Sequence, residues 1–146
     1  MHSLVGLMLR QSSTILPIRS KRPGLHEFTE KVREFVTDTG IREGLLTLFC
    51  RHTSASLLIQ ENAAPAARRD LERYFERVAP EDDSYEHGDE GPDDMPAHLR
   101  AALTSTQLTI PVQDGRPVLG TWQGIYLFEH RRSAPEREIA IHLVGE

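Results

Sequence analysis

Residues 107–146 contain three strand-like runs that no helix separates. The runs are "QLTIPVQ" (107–113), "GIYLFEH" (124–130) and "REIAIHLVGE" (137–146), with turn signals at Asp114-Gly115 and around residues 133–135. A doubly wound parallel sheet alternates strands with helices, and this part of the chain does not. The pattern therefore favours an α+β fold with a mostly antiparallel sheet or pseudo-barrel.

The first half of the chain mixes helical and extended patterns. Helical spacing predicts a helix over residues 25–36 with Gly40 past its end, a second helix that begins near Pro65 and stops before Pro80, and a short third helix that opens at Pro96. "SSTILPIRS" predicts an early strand, and "GLLTLFCRH" and "SASLLIQEN" predict two adjacent strands. No linker or repeat divides the chain, so residues 1–146 are predicted to form one domain with flanking helices.

The charge of the chain is concentrated in one segment. Eight of the 22 acidic residues lie between Glu81 and Asp94, which leaves 14 acids against 17 bases elsewhere. No broad basic face for nucleic acid is expected. No run is long enough for a membrane span and no leader is recognised, so we expect a cytoplasmic protein, and the single Cys50 agrees with a reducing compartment.

Three histidines are candidate metal ligands. His52 ends the strand "LFCRH", His87 lies in the acidic segment and His98 lies near the start of the third helix. Three imidazoles from separate elements suit a site that keeps one position open for water or substrate. Their spacing is not a zinc-finger or HExxH motif, so a hydrogen-bonded edge histidine remains the alternative for His52 and a surface position the alternative for the others.

Carboxylates and amides at strand ends are candidates for catalysis and binding. Glu129 closes an apolar strand and must reach solvent, pair with a cation, or titrate at a shifted pKa. Glu61 and Asn62 follow "LLIQ" and either lead into the second helix, with Asn62 as its cap, or contribute to a site.

"LGTWQG" and the arginines after Glu129 carry binding chemistry. Trp122 suits stacking on a flat heterocycle and Gln123 suits reading its edge; the alternative is a core tryptophan at a sheet corner. Arg131, Arg132 and Arg137 suit phosphate, although a solvated hairpin tip is equally ordinary. Cys50 is interpreted as a packing residue, and no GxSxG motif supports a serine nucleophile.

These residues give the chain a family resemblance. "RHTSASLLIQENA", "YEHGDEGPDDMPAH", "GRPVLGTWQGIYLFEHR" and the terminal "GE" are similar to the YjbQ-like family over almost the whole chain from Ser12. The resemblance implies an α+β homotrimer with a metal site near subunit boundaries, held by His52, His87 and His98. It also implies catalytic roles for Glu129 and Glu61 and substrate contacts for Asn62, Trp122, Gln123 and Arg137.

The resemblance further implies a secondary thiamine-phosphate synthase activity on small phosphorylated substrates. In that reaction a thiazole phosphate displaces diphosphate from a hydroxymethylpyrimidine. The acidic segment would tolerate diphosphate if a divalent cation lay between them, so the cofactor expected is zinc at the histidines or Mg²⁺ with the phosphates. A metal-dependent hydrolase with Glu129 as general base and a non-enzymatic metal- or ligand-binding trimer are the alternatives.

Overall fold

The structure, a computed structural model, describes residues 8–146. Residues 1–7, where the sequence predicts no leader, lie outside the described residues. The elements in chain order are β1 (Arg10–Ile18), β2 (Gly24–Glu27), α1 (Thr29–Thr39), β3 (Gly44–Cys50), β4 (Ala55–Glu61), α2 (Pro65–Val78), α3 (Asp94–Leu103), β5 (Gln107–Gln113), β6 (Arg116–Pro117), β7 (Gln123–Glu129) and β8 (Arg137–Gly145).

The strands form two sheets that share one core. The larger sheet has the order β1-β8-β3-β5-β6 and the smaller has the order β2-β7-β4. Neighbouring strands in both sheets run antiparallel. The predicted α+β fold with a mostly antiparallel sheet is therefore confirmed, and its three helices flank the sheets.

The core is built from alternating strand residues and one helix. Leu46 and Leu48 of β3 and Leu57 of β4 are fully buried, as is Val32 of α1. Each buried aliphatic side chain of this kind contributes about 1.5–3 kcal/mol relative to its exposed state. The alternation of buried and partly exposed residues along β8 shows why a period of two was readable in the sequence.

The first predicted helix begins too early in the sequence. Residues 24–27 form β2, in which Leu25 pairs with Phe128 of β7, and α1 begins only at Thr29. The spacing of Leu25 and Phe28 suits a helix, but Leu25 is buried in a separate cluster with Tyr126 and Phe128. The predicted end is correct, because Gly40 takes the left-handed conformation (φ 72°) that terminates α1.

The predicted pairing of the two central strands is wrong. β3 pairs with β5 and β8 in the larger sheet, whereas β4 pairs with β7 in the smaller sheet. Both runs are apolar enough for burial, and the sequence does not say which partner each strand takes. The turn at Asp114-Gly115 is confirmed by positive φ at both residues, and it leads into the short β6, which was not predicted.

Helices α2 and α3 differ in how they are anchored. Pro65 is the first residue of α2, as predicted, yet no residue of α2 is buried, and Tyr74 and Val78 are 51% and 46% exposed. α3 begins at Asp94 instead of Pro96, and Asp94 is buried.

Among the described residues no helix combines the length and apolar character that crossing a membrane would need.

Candidate metal centre

The start of α3 brings four potential metal ligands together. His87 and Glu90 come from the acidic loop, and Asp94 and His98 lie one helical turn apart on the same face of α3. One ligand atom from each of the four lies within 4.8 Å of the others. We call His87, Glu90, Asp94 and His98 the metal cluster.

Asp94 is the hub of the metal cluster. Its Oδ2 lies 2.8 Å from Nε2 of His87 and 3.1 Å from Nε2 of His98, and the two imidazole rings are 5.5 Å apart. Glu90 Oε2 lies 3.5 Å from Nε2 of His87. All four groups therefore direct a lone pair or a carboxylate oxygen into the same small space.

Arg131 fixes the orientation of Asp94 from the opposite side. Its Nη1 donates to Asp94 Oδ1 at 2.6 Å, its Nε donates to Asp93 at 3.2 Å and its Nη2 donates to the carbonyl of Glu90 at 3.0 Å. Burial alone would raise the pKa of Asp94, but the hydrogen bond from His87 and the charges of His98 and Arg131 outweigh it and lower the pKa. Asp94 is thus held ionised, with Oδ2 facing the histidines.

The hydrogen bonds of His98 fit a cation. Nδ1 donates to the carbonyl of Thr53 at 3.0 Å, which leaves Nε2 as the lone pair of the neutral ring. That lone pair faces the Asp94 carboxylate at 3.1 Å, which is itself an acceptor. Two facing acceptors need a second proton on His98 or a metal ion between them, and a backbone carbonyl on the second nitrogen is the usual support of a metal-binding histidine.

His87 is the more exposed member of the pair. Its hydrogen bond to Asp94, with the nearby charges of Asp89 and Glu90, raises its pKa. Two imidazoles and two carboxylates make a mixed nitrogen and oxygen donor set, which suits zinc or another late transition metal better than Mg²⁺.

His52 lies outside the metal cluster. Its Nε2 accepts a hydrogen bond from the backbone N–H of Glu138 at 2.8 Å, and its Nδ1 lies 3.3 Å from a guanidinium nitrogen of Arg137. Burial and the charge of Arg137 lower its pKa. The structure thus brings together two of the three histidines predicted for the site, with Glu90 and Asp94 beside them, and gives His52 the hydrogen-bonded edge position of the structural alternative.

Glu129 and Arg137 form a buried ion pair. Two contacts join them, Nη2 to Oε2 at 2.6 Å and Nε to Oε1 at 2.8 Å, and the side chains are 0% and 2% exposed. Ser20 and the N–H groups of His130 and Arg131 donate to the same carboxylate. Burial raises the pKa of Glu129, but the hydrogen bonds of Arg137 and Ser20 outweigh it and lower the pKa.

The two roles predicted for this pair therefore lack geometric support. A general base needs a lone pair that substrate can reach, and five donors already occupy the Glu129 carboxylate. A phosphate cannot reach the Arg137 guanidinium, which also donates to the carbonyl of Ser54 at 3.2 Å. The buried ion pair instead fixes the backbone at Arg131, whose N–H donates to the Glu129 carboxylate.

The remaining predicted residues form a second group, which we call the Trp122 cluster: Glu61, Asn62, Trp122 and Gln123. Asn62 donates its backbone N–H to the carbonyl of Trp122 at 3.0 Å and its side-chain amide to Glu27 at 3.3 Å. Trp122 is 63% exposed, so the alternative of a core tryptophan is wrong. Gly124 leaves room beside it, because a Cβ there would lie 2.5 Å from Glu27 Oε2 and 3.0 Å from Asn62 Cβ and would displace these side chains.

The Trp122 cluster and the metal cluster lie at opposite ends of one strand pair. Glu61 pairs with Gln123 at one end of β4 and β7, and Ala55 pairs with Glu129 at the other. Six residues of antiparallel strand span about 20 Å. Glu61 itself accepts the N–H of Ala64 at 2.8 Å before α2, and Asn62 makes no cap there.

Several site residues were missed from the sequence. Glu90, Asp94 and Arg131 were not assigned to the metal centre. The D-x-x-x-H spacing of Asp94 and His98 is a local signal that would have identified one turn of ligands. Arg131 carries no such signal, because its contact with Asp94 joins residues 37 positions apart.

Fold and site together define a class: a small α+β protein of two antiparallel sheets with a cluster of two histidines and two carboxylates at the start of a helix. The family model for the UPF0047 YjbQ-like proteins matches residues 14–146. The chain belongs to this family.

Relatives match over nearly their full length. The UPF0047 protein sll1880 of Synechocystis is 49% identical over 138 residues, covering 94% of each chain, and the UPF0047 protein YjbQ of Escherichia coli O157:H7 is 43% identical over 90% of this chain and 96% of its own. A solved conserved hypothetical protein from Thermus thermophilus superposes with a TM-score of 0.78 at 30% identity, covering 88% of this chain and 97% of its own. A YbjQ-like protein of unknown function from Sulfolobus solfataricus P2, at 24% identity and a TM-score of 0.81, covers 96% and 99% and supports the fold alone.

Proposed function

We propose that this protein is a metal-dependent transferase of the thiamine-phosphate synthase type, which joins a hydroxymethylpyrimidine diphosphate to a thiazole phosphate. The observation that carries the proposal is the metal cluster, whose four ligand atoms lie within 4.8 Å of one another around a buried, ionised Asp94. A divalent ion bound there would supply the countercharge that a departing diphosphate needs. Zinc suits the histidines, and Mg²⁺ is the alternative when phosphate oxygens complete the ligand set.

The reaction places defined demands on the protein. The thiazole nitrogen forms a C–N bond to the pyrimidine methylene, the C–O bond to diphosphate breaks, and diphosphate leaves with the electron pair. Two flat rings must therefore be held in line. The exposed indole of Trp122 offers a stacking surface, and Asn62 and Gln123 beside it offer amide groups for ring edges.

The proposed site needs more than one copy of the chain. The Trp122 cluster and the metal cluster are about 20 Å apart along β4 and β7, which is too far for one small substrate pair to touch both. We therefore propose a homotrimer in which the Trp122 cluster of one protomer faces the metal cluster of its neighbour. This arrangement agrees with the site near subunit boundaries that the sequence resemblance implies.

The hydrolase alternative is weaker, because its general base was to be Glu129. That carboxylate is fully hydrogen-bonded inside the protein. A metal-binding trimer without catalysis is the other alternative, and activity assays separate it from the transferase.

The decisive experiment measures bound metal and turnover in matched variants. Asp94→Asn and His98→Ala should lose metal and thiamine phosphate formation, whereas Asp83→Asn removes an exposed acid of the same loop and should retain both. Thiamine phosphate formed at the wild-type rate by both cluster variants would contradict the proposal. If the cluster variants lose metal but the wild type shows no turnover in any assay, the result favours a metal-binding trimer without catalysis.

Mixed oligomers test the shared site. Protomers carrying His98→Ala and protomers carrying Trp122→Ala are each expected to be inactive alone. Mixed and reassembled, they should recover part of the wild-type rate, because some boundaries then pair an intact Trp122 cluster with an intact metal cluster. If oligomers that are shown to be mixed recover no activity, the result would indicate that each site lies within one chain.

A further inference from the structure

A cavity of about 370 Å³ lies beside the metal cluster and is separate from it. Arg100 and His130 line it, together with Pro23, Glu76, Pro80, Glu81, Asp93, Pro96 and Arg132. A second cavity of the same size shares Pro23, Glu76 and Arg100 with it and extends toward Phe75 and Phe128. The space therefore runs between α2 and α3 and has no assigned role.

Arg100 brings a cation to this cavity without a matching carboxylate. Its Nε and Nη2 both donate to the carbonyl of Ala79, at 3.2 and 2.8 Å, and among residues 8–146 no carboxylate oxygen lies within 4 Å of the guanidinium. The side chain is partly buried. Partly buried arginines are normally paired, so the free Nη1 is suited to an anion that enters the cavity.

His130, which lines the same cavity, carries a buried acceptor without a partner among the described residues. Thr104 Oγ1 bonds both the carbonyl of Arg100 at 2.8 Å and Ser56 Oγ at 2.5 Å. The carbonyl only accepts, so it takes the one hydroxyl proton of Thr104, and Ser56 must then donate to Thr104. Ser56 Oγ in turn accepts from Nε2–H of His130 at 2.9 Å.

With these donor and acceptor roles, the proton of the neutral His130 ring is on Nε2, and Nδ1 carries only a lone pair. His130 is 2% exposed, and Nδ1 has no hydrogen-bond partner among the described residues. Burial and then the charge of Arg100 lower the pKa of His130 to about 3, so the ring stays neutral. A buried lone pair without a donor costs stability, and a ligand that supplies an O–H group would remove that cost.

We propose that this cavity binds a protonated phosphate group, with a phosphate oxygen accepting from Arg100 Nη1 and a P–O–H proton donated to Nδ1 of His130. Two of the three acids at its rim are already paired with other groups. Glu81 pairs with Arg132, and Asp93 accepts from Arg131 and from the backbone N–H of Arg132. Glu76 is exposed. The inference goes beyond the proposed function, because binding here needs no metal.

The test titrates metal-free protein at pH 7 with inorganic phosphate and with sulfate, by calorimetry. The two anions are similar in shape, but phosphate retains a proton at this pH and sulfate has none, so phosphate should bind at least about tenfold more tightly if the hydrogen bond to Nδ1 forms. Equal affinities would overturn the proposal. This comparison uses the wild-type chain and does not depend on any variant folding. A methyl phosphate arm at a pH of about 5.5, where the ester also carries a proton, distinguishes an esterified phosphate from the free anion.

Variants then locate the binding. Arg100→Met should weaken phosphate binding by about tenfold or more, and Arg69→Met, which removes an exposed arginine outside the cavity, should not change it. His98→Ala should bind phosphate as the wild type does, even if it cannot hold metal. Unchanged phosphate binding in folded Arg100→Met, or its loss in His98→Ala, would contradict the assignment.

Discussion

The two ends of the β4–β7 strand pair are organised in opposite ways. At the metal end, arginines hold buried carboxylates: the buried Arg137 holds Glu129, and the partly exposed Arg131 holds Asp94. At the other end, Trp122 is exposed, Asn62 donates to Glu27 at 3.3 Å, and Gln123 accepts from the backbone N–H of Gly120 at 2.7 Å. The metal end is preorganised within a single chain, whereas the Trp122 end presents exposed side chains for contacts outside the chain.

The largest effect is expected from breaking the buried pair at the metal end. Arg137→Met leaves the Glu129 carboxylate buried with its hydrogen bonds reduced, and should lower the free energy of unfolding by about 3–5 kcal/mol. Urea unfolding followed by circular dichroism measures it. The double variant Arg137→Met/Glu129→Leu should recover much of the loss, and a double variant less stable than Arg137→Met would show that the pair is not the source of the effect.

Removing the charge at the hub of the metal cluster should have the next largest effect. Asp94→Asn keeps the shape of the side chain but loses the anionic oxygen between the two histidines, so zinc affinity should fall by more than about 100-fold. Competition with a chromophoric chelator measures the affinity. Asp83→Asn is the matched control, and equal affinities for the two variants would mean that the metal cluster is not the binding site.

Arg131 should matter less, because it acts through Asp94. Arg131→Met leaves all four ligands in place but removes the donor that orients Asp94, so zinc affinity should fall by about 10–100-fold. Combining it with Asp94→Asn should add little beyond Asp94→Asn alone. Fully additive losses would show that Arg131 does not act through that carboxylate.

The pH dependence of stability should also originate at the metal end. The folded pKa of Glu129 lies below its ordinary value of about 4.3, so its contribution is fully present above that value and is lost as the pH falls through the folded pKa. Unfolding free energies between about pH 3 and 7 should therefore decline on acidification, with a shallower decline in Glu129→Gln. A decline of the same slope in both proteins would assign the acid sensitivity to other groups.

The smallest effect on stability is expected at the opposite end. Because Trp122 is 63% exposed, Trp122→Ala should change the free energy of unfolding of one chain by less than about 0.5 kcal/mol and leave zinc affinity unaltered. A larger loss that grows with protein dilution would indicate that the indole packs against another protomer. A larger loss independent of concentration would contradict the view of this end as an open surface.

Local patterns in the sequence predicted much of the fold. Gly40 ends α1 because a left-handed residue is needed there. Strands β5, β7 and β8 lie within one residue of their predicted bounds because side-chain alternation is local, and β1 begins and ends two residues earlier than predicted. β2 was read as helix because its burial depends on pairing with β7, a contact about a hundred residues away. Pairing with β7, and not local helix propensity, determines the structure of residues 24–27.

The residues of the candidate site were likewise predicted only in part from the sequence. His87 and His98 were predicted as metal ligands together with His52, and the structure brings His87 and His98 together. His52 was included because three histidines from separate elements can hold one ion and the family resemblance implies it, but β8 supplies the N–H that occupies its Nε2. Arg100 and His130 attracted no attention in the sequence, since their unsatisfied groups are defined by what surrounds them in three dimensions.

The three hydrogen bonds of Arg131 have a consequence for motion. Within the described chain, residues 79–93 contain no helix or strand, so amide hydrogens there would ordinarily exchange quickly with solvent. Arg131 joins this loop to the end of β7 at Glu90, Asp93 and Asp94, and its own backbone N–H is bonded to Glu129. Opening the loop therefore requires releasing all of these contacts together, and the acidic segment should exchange as one cooperative unit that slows further when metal binds.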